Sequence, residues 1–230
     1  MNRAVIFDMD GLLLDSERPY RDAWLAVSKR KGYSLSESIY LQAVGRDDRD
    51  TREIFRMHFG NDFPYDEICC DVRVIMDRGT AEAGHALKEG VLDLLEYLAQ
   101  RSIPCAVATS TTRQKALARL GQANILRYMR EVSGGDEVTR GKPEPDLYLL
   151  AAKKLGVAPG QCLAFEDSAP GARAAHKAGM RIIVIPDLME PPEDVRRFSL
   201  DILSSLRHAR PTIDRWLEAK PGEDFPSSLR

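Results

Sequence analysis

Ala4-Val5-Ile6-Phe7-Asp8-Met9-Asp10-Gly11 is the stretch from which the fold can be read. Its four leading residues are too continuously apolar for a half-exposed strand and suit a parallel sheet covered on both faces. Asp8 and Asp10 follow where the carboxyl end of a parallel strand opens into the crevice in which α/β proteins bind ligands. Held that close without a cation, the two carboxylates repel each other and one takes up a proton. Mg²⁺ would neutralise the pair and keep Asp8 ionised. Asp-x-Asp alone carries little weight, because Asp48-Arg49-Asp50 repeats it in a predicted helix and reads as solvated surface. The first pair is set apart by its strand, its Gly11 turn and its companions further along the chain.

Working outward, apolar runs of the same kind recur at Cys105-Ala106-Val107-Ala108, Cys162-Leu163-Ala164-Phe165 and Ile182-Ile183-Val184-Ile185. Helical spacing lies between them: Val91, Leu92, Leu94, Leu95 and Leu98, then Leu147, Leu150, Ala151 and Leu155 before Gly156, a helix stop. This alternation predicts an α/β, doubly wound, Rossmann-like parallel-sheet core. Nearly a hundred residues separate the first two strands. Ala23, Trp24 and Val27, then Ile54, Phe55, His58 and Phe59, then Val72, Ile75 and Met76 give this stretch helical periods and no strand. The expected division is an α/β catalytic core over 1–16 and 86–220, a helical cap over 17–85, and a frayed, apolar-poor tail over 221–230.

Composition narrows the class. The 230 residues are 43% hydrophobic and 30% charged, with 33 Lys and Arg against 35 Asp and Glu. That length buries roughly 70% of the surface the unfolded chain exposes, enough for a sizeable core. A net charge of -2 gives no reason to expect a nucleic-acid or anionic-membrane partner. Cys69, Cys70, Cys105 and Cys162 form no metal-binding spacing and read as inert thiols of a reducing compartment. No 18-residue apolar window or signal-peptide pattern is present, which together predict a cytoplasmic protein. Oligomeric state is not legible.

Other predicted strand ends add chemistry. Thr109-Ser110-Thr111 brings hydroxyls and free backbone N–H groups that suit a phosphate oxygen, although Ser110 or Thr111 capping the next helix is an equal reading. Gly141-Lys142-Pro143-Glu144-Pro145-Asp146 fixes a lysine before a helix more firmly than a solvated role requires. Glu166-Asp167-Ser168 is a second acid pair, costly unless a positive charge sits between it and the first. Together, two acid pairs, a hydroxyl and a lysine specify a phosphoryl-transfer site with a divalent cation.

Asp8-Met9-Asp10-Gly11, Thr109, Lys142-Pro143 and Glu166-Asp167-Ser168 with Gly171 resemble, in order and spacing, the motifs of the haloacid dehalogenase-like hydrolase superfamily. The resemblance is closest to the branch containing phosphoglycolate phosphatase and β-phosphoglucomutase. It implies Asp8 as nucleophile forming an aspartyl phosphate, and Asp10 as the acid that protonates the leaving oxygen and then activates water. It further implies Thr109 and Lys142 as holders of the phosphoryl group, and Asp8, the Asp10 carbonyl, Glu166 and Asp167 around Mg²⁺. Leu12 stands where many members have Thr, a tolerated departure. The implied activity is hydrolysis of a small phosphorylated metabolite. A sugar phosphomutase or a catalytically idle binding protein is the alternative. Dehalogenation is disfavoured because a halide needs no proton from Asp10.

Substrate choice should fall to cap residues, for which Tyr20, Gly45-Arg46, His58 and Arg73 are candidates. Arg46 reads equally as an anion clamp and as one more solvated charge. The resemblance implies a histidine on the first cap helix of β-phosphoglucomutase where Tyr20 stands here, and in the mutases a lysine late in the cap near the position of Asp71, for which Arg73 could substitute. His85 and His176 read as structural or solvated.

Overall fold

The computed structural model describes residues 3–44 and 48–219. The chain divides into two compact units, Met1–Asp15 with His85–Arg230, and Ser16–Gly84.

The larger unit opens with β1 (Ala4–Phe7). It resumes after residue 84 with α5 (Val91–Gln100), once the smaller unit has contributed α1 (Glu17–Arg30), α2 (Glu37–Ala43), α3 (Asp48–Phe59) and α4 (Tyr65–Ala83). Then come β2 (Cys105–Thr109), α6 (Arg113–Gln122), β3 (Met129–Gly134), α7 (Asp146–Leu155), β4 (Cys162–Glu166), α8 (Ala169–Lys177), β5 (Arg181–Val184), α9 (Glu193–Phe198), β6 (Asp201–Ile202) and α10 (Arg210–Glu218). The six strands form one sheet in the order β3-β2-β1-β4-β5-β6, every neighbouring pair parallel. Strand order reverses between β1 and β4, so the crevice at their carboxyl ends is the switch point where such sheets bind ligands.

Burial on both faces explains the unbroken apolar runs. Along β1, Val5 and Phe7 point into a core built with α5, α6 and α10, while Ala4 and Ile6 point into a second core with α7, α8 and α9. Phe7 stacks on Phe165 of β4 at a centroid separation of 5.2 Å. Small residues (Ala106, Ala108, Ala164) face the second core, where helix α8 presents Ala172, Ala174 and Ala175. β3 lies at the sheet edge, and its Arg130 is exposed. α10 continues to Glu218, two residues past the Trp216 at which the apolar pattern ends, and Trp216 and Ile213 are buried in the first core. The expected tail over 221–230 lies outside the described residues.

Within the smaller unit Trp24, Phe55, Phe63 and Tyr65 form an aromatic core, with centroid separations of 5.3 Å for Trp24–Phe55 and 5.5 Å for Phe55–Phe63. Ser36 caps α2, its hydroxyl accepting from Ile39 N–H at 3.3 Å. No helix is long and apolar enough to cross a membrane among the described residues. Cys105 and Cys162 are buried and burial pushes both thiols up to about 12, which fits inert side chains. Cys70, by contrast, is exposed on α4.

Candidate active site

Strands β1, β2 and β4 each end in, or lead directly into, a polar side chain at the crevice: Asp8, Thr109 and Glu166. Asp8 follows β1, and its amide donates to the Phe165 carbonyl across the switch point at 3.0 Å. The chain then turns sharply: Gly11 takes φ 84°, where an L side chain is strained, and Leu13 and Leu14 N–H both return to the Met9 carbonyl at 3.0 Å. Leu12, Leu13 and Leu14 are fully buried, which anchors the turn. The outgoing backbone pairs with the returning one, Asp15 N–H on the Ala86 carbonyl at 2.8 Å and Lys88 N–H on the Leu13 carbonyl at 3.1 Å.

Lys142, on the loop between β3 and α7, donates to Asp8 Oδ1 and to Glu166 Oε1, both at 2.5 Å. It is the positive charge that the two acid pairs require. All three side chains are buried. Burial works against the Lys142 ammonium, but Asp8 and Glu166 outweigh it and raise its pKa. Burial pushes Asp8 up to about 8; Lys142 opposes this, and repulsion from Glu166 and Asp10 adds to it.

Both oxygens of Glu166 accept hydrogen bonds. Oε1 accepts from Lys142 and from the Tyr148 hydroxyl at 2.7 Å; Oε2 accepts from the Ser168 hydroxyl at 2.9 Å and from the Asp167 and Ser168 amides at 3.2 Å. Ser168 is the N-cap of α8, accepting from Gly171 N–H at 3.2 Å. Glycine is required at 171, since a Cβ there would stand 1.7 Å from Glu166 Oε1. Tyr148 also lays its ring 5.2 Å from Lys142 Nζ.

Oxygens of Asp8, Glu166 and Asp167 lie within 4.8 Å of one another. A set made only of carboxylate oxygens, with no nitrogen or sulfur, suits a hard cation such as Mg²⁺.

On the other side of β1, Thr109 is buried at the end of β2 and its Oγ1 accepts from Thr111 N–H at 3.1 Å. Neither Ser110 nor Thr111 caps α6 with its side chain; Asp136 does this instead, accepting from Arg113 N–H at 2.7 Å. Ser110 is exposed. Thr111 turns to Asp10, donating to Oδ2 at 2.7 Å, while Arg119 of α6 donates to Oδ1 at 2.8 Å.

Asp8, Lys142, Glu166 and Asp167 thus share one cluster, with Asp10 beside it under Thr111 and Arg119. Tyr20 lies on α1 of the smaller unit, a little over a third exposed. His58 and Arg73 are exposed on α3 and α4 of that unit, and Arg46 lies outside the described residues. Sequence reasoning missed Tyr148 and Arg119. Tyr148 left a usable signal, since a tyrosine on the apolar face of a helix needs a partner for its hydroxyl. Arg119 left none, because its side chain reads as an ordinary solvated helix charge.

A family model described as haloacid dehalogenase-like hydrolase matches residues 2–179. The chain belongs to that family. Among its relatives, a phosphorylated carbohydrates phosphatase of Thermotoga maritima is 35% identical over 182 residues, covering 78% of this chain and 83% of its own. A validoxylamine A 7'-phosphate phosphatase of Streptomyces hygroscopicus subsp. limoneus is 31% identical, covering 78% and 84%. Among solved structures, a haloacid dehalogenase family hydrolase of Deinococcus radiodurans with bound phosphate and sodium superposes with a TM-score of 0.80 at 25% identity, covering 96% of this chain and 98% of its own. This hydrolase therefore shares its sequence with two named phosphatases and its fold with a phosphate-bound hydrolase of the same family.

Proposed function

We propose that this hydrolase is a Mg²⁺-dependent phosphatase that cleaves a small phosphorylated metabolite through an aspartyl phosphate on Asp8. The observation that carries this reading is the buried Asp8 carboxylate at the switch point, bridged by Lys142 to Glu166 and backed by Asp167. An Asp8 oxygen attacks phosphorus, and the bond to the leaving oxygen breaks as Asp10 supplies its proton. Asp10, now a carboxylate, takes a proton from the water that attacks the same phosphorus, which releases inorganic phosphate and restores Asp8.

Lys142 lies against the nucleophile and is positioned to neutralise the equatorial phosphoryl oxygens in a dry site, where a fixed charge acts most strongly. The Thr109 hydroxyl accepts from Thr111 N–H, an arrangement that aims it and leaves its proton to donate to a phosphoryl oxygen. Asp8, Asp167, Glu166 and the Asp10 carbonyl would hold Mg²⁺, which when bound supplies charge to the phosphoryl oxygens and keeps Asp8 ionised. The names of the two relatives favour a polyhydroxylated phosphomonoester as the substrate class.

A phosphate-release assay over a panel of sugar phosphates, with Mg²⁺ and after chelation, tests this reading. Release should require Mg²⁺ and vanish in Asp8→Asn, whose amide is nearly isosteric but a poor nucleophile. Release that persists in Asp8→Asn, from protein shown free of other phosphatases, would exclude the covalent route.

A further inference from the structure

Asp10 has to serve twice, giving a proton and then taking one, from a side chain with two rotatable bonds. Its two oxygens are held from two directions. Thr111, in the loop after β2, bonds Oδ2, and Arg119, in the last turn of α6, reaches back to Oδ1. Arg173, for comparison, pairs with the exposed Asp194, and such surface pairs contribute little. Arg119 spends its guanidinium on the less exposed acid two residues from Asp8, across 109 positions of sequence.

We infer that Arg119, together with Thr111, is a positioning residue that fixes the Asp10 carboxyl for both proton transfers. The inference rests on the phosphatase reading and adds a residue to it. The hold survives the change of protonation state. Oδ1 accepts from the guanidinium whether the carboxyl is charged or neutral. The Thr111 hydroxyl donates to Oδ2; when Oδ2 carries the proton, its remaining lone pair still accepts from Thr111 and the proton is left for the leaving oxygen. Losing the clamp frees the carboxyl to rotate away from the leaving oxygen, and small misplacements of a proton donor are costly.

The test compares two substrates through kcat/KM, which reports the steps up to loss of the leaving group. Glucose 6-phosphate leaves an alkoxide that needs a proton; p-nitrophenyl phosphate leaves a phenolate that does not. In Arg119→Met, kcat/KM for glucose 6-phosphate should fall about tenfold or more, a fraction of what general acid catalysis contributes, while kcat/KM for p-nitrophenyl phosphate stays within about threefold. Asp10→Ala should lose at least as much on glucose 6-phosphate, and the double variant should lose no more than Asp10→Ala alone. Arg119→Lys should recover part of the alkyl activity. Equal losses on both substrates in Arg119→Met and Arg119→Lys alike, or additive losses in the Asp10→Ala background, would overturn the assignment. Wild-type turnover of p-nitrophenyl phosphate that disappears in Asp8→Asn secures the phosphatase reading by itself, so the Arg119 variants judge only the clamp.

Discussion

Lys142 neutralises two carboxylates that would otherwise lie buried against each other. Its side chain and that of Asp8 are each under a tenth exposed, and Glu166 is fully buried. Removing one partner of such a cluster leaves uncompensated charge, at a cost of about 3–5 kcal/mol. Lys142→Ala should therefore lose stability as well as activity. The sign of its pH dependence follows from Asp8, whose pKa is already raised to about 8. Between its unfolded pKa near about 4 and that value, the folded state binds more protons than the unfolded state, so stability falls as pH rises. Without Lys142 the Asp8 value climbs further, the fall in stability continues beyond pH 8, and the deficit against wild type should widen between pH 7 and pH 9. Denaturant melts of both proteins at the two pH values, in chelator, read the difference. Equal stability at pH 9 would mean that Lys142 is not the charge holding the cluster together.

At the scale of elements, α8 is the part of the site with the least tolerance. Its N-terminus comes so close to Glu166 that only a glycine at 171 fits, and Glu166 cannot swing aside without breaking bonds to Lys142, Tyr148 and Ser168. Gly171→Ala should cost about 1–3 kcal/mol, the usual range for overpacking, and should also weaken turnover by displacing Lys142. Thermal melting and kcat/KM of the purified variant measure both; a melting temperature unchanged from wild type would refute the close approach. The same scale separates what could be read from sequence and what could not. β1, β2, β4 and β5 announce themselves as apolar runs because both their faces are covered. β3 does not, since as an edge strand it carries Arg130 and Glu131, and β6 is only two residues long. Asp8, Lys142 and Glu166 were legible because each stands beside a strand end or a proline-fixed loop. Arg119 was not, because its contact with Asp10 spans 109 positions that no local pattern connects.

For the whole molecule, hydrolysis and sugar isomerisation differ in the fate of the aspartyl phosphate. A mutase must keep water from it until a second sugar hydroxyl arrives, and couples that protection to groups on the inserted helical unit. The resemblance to β-phosphoglucomutase implies a histidine on the first inserted helix of that enzyme, where this chain has Tyr20 on α1. The two differ in proton chemistry: burial raises the Tyr20 phenol above its ordinary range near 10, so it stays protonated at neutral pH where an imidazole titrates. The lysine that mutases carry later in the insert has Asp71 near its place, and Asp71 is engaged by Lys31 at 3.5 Å. Among the described residues neither group stands at those positions, and Arg73, two residues on, is the cation nearest the place of the lysine in sequence. We therefore expect inorganic phosphate, not an isomerised sugar phosphate, to be the product. ³¹P NMR of β-glucose 1-phosphate with enzyme, Mg²⁺ and a trace of β-glucose 1,6-bisphosphate follows both signals at once. Glucose 6-phosphate appearing well ahead of free phosphate would make the protein a mutase; phosphate alone, or phosphate from other sugar phosphates with no glucose 6-phosphate, fits a phosphatase whose inserted unit selects the substrate without withholding water.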